Sequence, residues 1–180
     1  MSSFRRKEKG ERFIISRIEF GEHKIDAFSQ WFNNYPYIVL GSDKSSAVRS
    51  RFDLAHELGH LILHAHIDLE ALCKKDVLDR VEKEANYFAG AFLLPRDIFL
   101  SEVIYKTIDH FIMLKKRWKV SIQAMVKRCQ ALDIFNESQV RYLIAQINQR
   151  GYRKREPLDE VILYETPYLF KQGIKLLLDN

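Results

Sequence analysis

Residues 51–66, RFDLAHELGHLILHAH, decide how the rest of the chain has to be arranged. The segment holds four of the six histidines of the sequence, and Glu57 directly follows the first of them. Apolar residues recur at the three- and four-residue spacing of an amphipathic helix, which predicts a long helix over residues 46–66. The neighbours of this helix must therefore suit both its apolar side and its row of imidazoles.

His56 and His60 lie four positions apart, so a helix presents them on one face, separated by roughly 6 Å along its axis. Two imidazoles in that arrangement can bind one ion at the usual Zn–N distance of about 2.0–2.1 Å. Glu57 points about 100° around the helix, too far to be an easy third ligand. It can still reach a water molecule on the open side of the ion. The pattern HELGH therefore predicts a zinc site with Glu57 as general base.

A third protein ligand is needed, and two glutamates of a second predicted helix, residues 77–94, compete for that role. Glu82 shares its helix face with small side chains, which would let this helix approach the first one closely. Glu84 shares its face with bulky aromatic side chains, so Glu82 is favoured and Glu84 remains the alternative. The small residues are Ala85, Asn86 and Ala89, and the bulky ones are Tyr87 and Phe88. Gly59 in the first helix likewise indicates that another element packs closely there.

The histidine-rich helix also allows roles other than a zinc site. Its histidines could be ordinary surface or core residues, although the position of Glu57 favours the metal site. His64 continues the row by one turn, where packing or substrate contact is more plausible than ligation. Cys73 is a weak candidate ligand. Manganese or iron could take the place of zinc, because nitrogen and oxygen ligands accept several divalent ions.

The remaining sequence predicts an α+β fold, with a short N-terminal sheet followed by a mainly helical C-terminal region. We divide the chain into residues 1–106, with the metal site, and residues 107–180, packed on the first region. Residues 25–32 fit either a short helix or an edge strand, and residues 68–76 are ambiguous. The predicted strands are 12–20 and 37–40; the later helices are 101–118, 121–132 and 137–150; residues 152–160 form a surface loop, and 161–178 a strand and a helix.

Composition limits the possible classes of protein. Nearly half of the 180 residues are hydrophobic, and glycine and proline are scarce, which favours a packed core over disorder. No apolar run is long enough to span a membrane, and the charged N-terminus does not resemble a secretory signal. The sequence contains only two cysteines, which we expect to be reduced. A cytoplasmic protein without a membrane partner is predicted.

Two stretches resemble the ImmA/IrrE family of metallopeptidases: RSRFDLAHELGHLILH (49–64) and EKEANYFAGAFLLPR (82–96). Their order, the short gap between them and the preceding YIVLG also fit. The resemblance implies a zincin-like fold, zinc bound by His56, His60 and Glu82, and Glu57 as the catalytic base. It also implies a protein substrate, such as a repressor of a mobile element or of stress genes, or a toxin–antitoxin partner. Many relatives carry an N-terminal helix-turn-helix domain, for which we find no room ahead of the predicted first strand.

The basic segment 115–128 offers a different function. Residues 101–155 contain twelve lysines and arginines against four acidic residues, and LKKRWKVSIQAMVKRCQAL (114–132) resembles a helix-turn-helix. Either DNA or a docked protein could be its partner, and a non-hydrolytic regulatory module is a further alternative. Candidate phosphate contacts are Lys115, Lys116, Arg117, Lys127 and Arg128. Candidate oxyanion stabilisers for a peptidase are Tyr105, His110 and His64.

Overall fold

A computed structural model describes residues 13–21, 25–42 and 46–165 of the chain. These residues form a small α+β fold, in which a three-stranded sheet precedes a series of helices. The strands are β1 (Ile14–Ile18), β2 (Ala27–Phe32) and β3 (Tyr35–Gly41). The helices are α1 (Ala47–Leu63), α2 (Leu69–Leu72), α3 (Lys75–Leu93), α4 (Arg96–Glu102), α5 (Ile108–Trp118), α6 (Ile122–Ala131) and α7 (Glu137–Gln149).

The sheet has the order β1-β3-β2, with β1 parallel and β2 antiparallel to β3. The segment 25–32, for which the sequence left helix and strand open, is therefore an edge strand. Asn33 and Asn34 join β2 to β3, and both have positive φ angles, 49° and 65°. Asparagine tolerates this left-handed conformation, which a two-residue hairpin turn of the primed type requires. The turn fixes the register in which β2 lies beside β3.

The metal-motif helix α1 packs between the sheet and α3, and a glycine permits its close approach to α3. A Cβ atom added to Gly59 would lie 3.0 Å from Cδ1 of Phe88 and 3.3 Å from Cα of Ala85. This confirms the expectation of a close approach at Gly59. On the other side of α1, Leu61 packs with Ile38 and Leu40 of β3 in a small buried cluster.

The larger hydrophobic cluster lies among the later helices and includes Phe99, Phe111, Met125 and Leu143. The helix starts predicted from sequence are confirmed here. The Ser121 hydroxyl accepts a hydrogen bond from the Ala124 backbone N–H, and Asn136 forms a reciprocal capping box with Gln139. The α7 helix ends before Gly151, whose φ is +74°.

Three predictions about this region were wrong. The predicted helix 101–118 is interrupted, because α5 begins only after Thr107, whose hydroxyl accepts a hydrogen bond from the His110 backbone N–H. The predicted surface loop 152–160 is partly buried, since Glu156 and Asp159 contact Lys115. Residues 161–165 are not a strand, and the helix predicted after them lies outside the described residues.

A buried charged cluster ties this segment to the rest of the fold. The Lys115 Nζ lies 2.8 Å from Oε2 of Glu156 and 2.6 Å from Oδ1 of Asp159. Glu156 also accepts hydrogen bonds from the backbone N–H groups of Ile122 and Gln123 at the start of α6. The Ser46 hydroxyl, just before α1, donates to Asp159 at 3.0 Å. The cluster therefore joins α1, α5 and α6 through one turn-rich segment.

Among the helices within residues 13–21, 25–42 and 46–165, each is too short or too polar to cross a bilayer.

Candidate metal centre

His56, His60 and Glu82 converge at the contact between α1 and α3. One ligand atom from each lies within 4.8 Å of the others. The Nε2 atoms of the two histidines are 2.9 Å apart, and they lie 3.3 and 3.4 Å from the two carboxylate oxygens of Glu82. Two imidazole nitrogens and one carboxylate form a donor set typical of catalytic zinc, with a fourth position left for water.

Close packing of the two helices brings Glu82 to the histidines. Gly59 lies against Ala85 and Phe88, which follow Glu82 on α3 by about one and nearly two turns, so the glutamate can reach across from its own helix. The competing residue, Glu84, lies elsewhere: its Oε2 is 3.0 Å from Nε2 of His64. The geometry therefore groups the same three residues that the sequence favoured, and their role as ligands remains a prediction.

Glu57 is held beside this group by the edge strand. The Ser29 hydroxyl of β2 donates a hydrogen bond of 2.6 Å to Oε2 of Glu57. Burial raises the pKa of Glu57 above its usual value, although the Ser29 hydrogen bond and the nearby His56 act in the opposite direction. Ser29 was not predicted as a site residue, because residues 25–32 fitted a helix and a strand equally well. In a strand, Ser29 would have been a polar residue on the helix-facing side.

His60 is suited to binding a cation. Burial and then the neighbouring His56 lower the pKa of His60 to about 4. Its imidazole is therefore neutral at pH 7, and neutral imidazole is the form that binds metals.

His64 and Glu84 support His60 from behind. The Nδ1 atoms of His60 and His64 are 3.0 Å apart, and the other nitrogen of His64 faces Glu84. If Nε2 of His60 binds a cation, its Nδ1 carries a hydrogen and donates to His64. His64 must then carry its own hydrogen on Nε2 and donate it to Glu84. This chain of bonds fixes the tautomer and orientation of both rings. His64 was expected to pack or to contact substrate, whereas these contacts suit it to orienting His60.

Asn86 donates its side-chain amide to the backbone oxygen of Glu82 at 2.7 Å. Of the three candidate oxyanion stabilisers, His64 has both ring nitrogens occupied by the contacts above. His110 packs edge-on against Tyr105, and its Nε2 lies 2.9 Å from the backbone oxygen of Glu102. Tyr105 is exposed, and none of the contacts above involves its hydroxyl.

The predicted phosphate contacts of the basic segment are wrong at two positions. Lys115 is fully buried with two carboxylates, and Arg128 is only 6 % exposed, with its Nε donating to the Leu94 backbone oxygen. Arg117 is exposed but pairs with Glu102 at 2.9 Å. Lys115 therefore has no surface left for DNA, and Arg128 offers little, so the sequence pattern exaggerated the basic surface of this segment.

A helix with paired histidines and a neighbouring glutamate, facing a glutamate of a second helix, defines a metallopeptidase-like domain. Residues 10–130 match the peptidase family M78, described as the IrrE N-terminal-like domain, over about two thirds of the chain. The chain therefore belongs to the M78, or ImmA/IrrE, family. No curated protein matches the chain.

Proposed function

We propose that this protein is a zinc-dependent endopeptidase with a zincin-like site, acting in the cytoplasm on a regulatory protein. The observation that carries the proposal is the convergence of His56, His60 and Glu82 within 4.8 Å, with Glu57 adjacent. The family supports a peptide substrate. A repressor or a toxin–antitoxin partner is the substrate class that the family resemblance suggests, and the low cysteine content supports the location.

The donor set fits zinc in charge as well as in type. Two neutral imidazoles and one carboxylate leave a bound dication with a net positive charge. When bound, zinc would polarise the scissile carbonyl and lower the pKa of a bound water to about 7. Ligation would be the task of His56, His60 and Glu82, with His64 and Glu84 orienting the ring of His60.

Glu57 would carry the proton during hydrolysis. Its carboxylate accepts a proton from the attacking water as the water oxygen bonds to the carbonyl carbon. The same proton then passes to the leaving nitrogen as the peptide C–N bond breaks, giving a new carboxyl group and a new amine. The Ser29 hydrogen bond holds one carboxylate oxygen, so the other remains available for the water. A pKa raised by burial makes Glu57 a stronger base than an exposed glutamate.

The free edge of β2 is the natural place for the substrate backbone. In the described sheet β2 pairs with β3 alone, and side chains of β2 contact α1. Ser29 touches Glu57, and Trp31 donates its indole N–H to the Leu61 backbone oxygen at 3.1 Å. An extended peptide added to this edge would pass directly over Glu57.

Replacing Glu57 with glutamine tests the proposal, because it removes the base but none of the three ligands. The wild-type and Glu57→Gln proteins are loaded with zinc and incubated with the repressors encoded near this gene. We expect the wild type to release a discrete fragment, and the variant to be slower by about 10²–10⁴-fold with unchanged zinc content. Glu70→Gln, an exposed glutamate of α2, is the matched control. Biological output that survives Glu57→Gln would instead support a non-hydrolytic regulatory module.

A further inference from the structure

A second concave surface adjoins the candidate metal centre. It lies between α1, α3 and α6 and has a volume of about 650 Å³. We call it the basic cleft. Its charged lining residues are Arg49, Asp53, Lys83, Lys127 and Arg128. A volume of this size is typical of a ligand-binding site.

The basic cleft begins one helical turn from the candidate ligands. On α1, Asp53 precedes His56 by three residues, and Arg49 lies one further turn away on the same ridge. On α3, Asn86 lines the cleft and donates to the backbone oxygen of Glu82 four residues earlier. Residues that line the basic cleft therefore lie within about one turn of the proposed ligands on both helices.

Charge in the basic cleft is strongly unbalanced. Four cationic side chains line it, against the single carboxylate of Asp53. Lys83 and Lys127 are exposed at its rim. Arg128 is 6 % exposed, its guanidinium lies over the Tyr87 ring at 5.6 Å, and its buried Nη1 has no hydrogen-bond partner among the described residues. A buried donor without an acceptor is uncommon in folded proteins, and it favours an anionic ligand next to it.

Side chains, rather than a helix terminus, would recognise that anion. The first backbone N–H groups of α6, at Ile122 and Gln123, are already bonded to the Glu156 carboxylate. The next one, at Ala124, is bonded to Ser121. The helix terminus is thus satisfied from within the protein. Arg49 already donates to the Arg153 backbone oxygen, so Lys83, Lys127 and the Nη1 of Arg128 are the cationic groups left to bind a ligand.

We propose that the basic cleft binds an acidic segment of the protein substrate, on one side of the scissile bond. This inference rests on the proposed peptidase function. A peptide placed along β2 follows the direction of α1, since Ser29 and Trp31 contact Glu57 and Leu61 in the same order. One end of that peptide would therefore enter the basic cleft. Two or three aspartate or glutamate side chains there would face Lys83, Lys127 and Arg128.

Binding can be measured without cleavage in the zinc-loaded Glu57→Gln protein. The probe is a fluorescent twelve-residue glutamate-rich peptide, compared with the same peptide carrying glutamine at every glutamate. We expect the acidic peptide to bind about tenfold more tightly at low salt, and this preference to shrink as salt rises. The double variant Lys83→Glu/Lys127→Glu should lose the preference. The control Lys75→Glu/Arg141→Glu, with the same charge change at exposed positions outside the cleft, should keep it.

The inference is overturned by equal binding of the two peptides, or by a preference that survives Lys83→Glu/Lys127→Glu. Tighter binding of duplex DNA than of the acidic peptide, lost in the same variant, would also overturn it. The failure of the proposed function would look different. In that case the wild type would cleave nothing, while the acidic peptide would still bind and still depend on the two lysines.

Discussion

The buried cluster around Lys115 and the candidate metal centre differ in how many of their polar atoms already have a hydrogen-bond partner. In the buried cluster, Lys115 is fully enclosed and its ammonium faces two carboxylates, which also accept backbone N–H bonds. In the metal centre, His56 and His60 are partly exposed, and Glu82 is 48 % exposed. There the ligand atoms of three residues point at one another rather than at fixed partners.

The contrast separates a structural role from a chemical one. A buried charge is tolerated only when its hydrogen bonds are complete, and such a cluster holds segments together. Nitrogen and oxygen atoms that converge with their lone pairs, and have too few hydrogens to bond one another, are instead suited to bind a cation. The helical region also has the larger apolar core, whereas the small cluster around Leu61 supports the metal centre.

The largest expected effect on stability is at the buried cluster. Lys115→Ala leaves two buried carboxylates without their cation, and we expect the free energy of unfolding to fall by about 3–5 kcal/mol. Urea denaturation measures the change, and Lys116→Ala, the exposed neighbour, should change it by less than about 0.5 kcal/mol. A fall of equal size in both variants would contradict a structural role for the cluster.

Removing a proposed ligand should act on the metal rather than on the fold. Glu82→Ala should lower zinc affinity by more than about 100-fold, since support residues alone contribute 10–100-fold. Competition with a chromogenic chelator measures the affinity, and urea denaturation of the metal-free protein serves as the stability control. Zinc bound equally well by Glu82→Ala would exclude Glu82 as a ligand.

Removing the residues that orient the His60 ring should have an intermediate effect on zinc affinity. His64→Ala or Glu84→Gln should each lower zinc affinity by about 10–100-fold, because the His60 ring loses the bonds that orient it. The double variant should be little worse than either single one, since both act through the same chain of bonds. Additive losses in the same chelator assay would indicate two independent roles.

The smallest expected effect on stability and zinc binding is at Gly59, where α1 packs against α3. Gly59→Ala improves helix propensity by up to about 1 kcal/mol, but its Cβ would crowd Phe88 and the backbone of Ala85. We expect a net loss of about 1 kcal/mol in the free energy of unfolding and weaker zinc binding. Gly90→Ala is the matched control, because its Cβ would meet only ordinary contact at 3.6 Å from Cδ of Arg128. It should be neutral or stabilising by denaturation.

Much of this arrangement could be predicted from sequence where local rules apply. The spacing of His56 and His60 predicted one helical ridge, and the small residues near Glu82 predicted which glutamate would approach it. Asn136 with Gln139 predicted a helix start in the same way. In each of these cases residues three or four apart determine the outcome, so the sequence contains the necessary information.

Contacts between distant segments could not be predicted in this way. Lys115 belongs to a run of basic residues and was taken for a surface cation, because its partners lie more than forty residues further along the chain. Ser29 was missed since the edge strand had no clear periodicity. The pairing of His64 with Glu84 depends on how α1 and α3 are aligned, which neither helix specifies by itself.

The bond between Ser46 and Asp159 joins residues 113 positions apart. Because a ribosome makes the chain from its N-terminus, the start of α1 emerges long before its partner exists. A nascent chain can form the histidine-bearing part of α1 early. The hydrogen bond at the start of that helix cannot form until the segment with Asp159 has been synthesised. The start of α1 can therefore gain this bond only when almost all of the described chain has been synthesised.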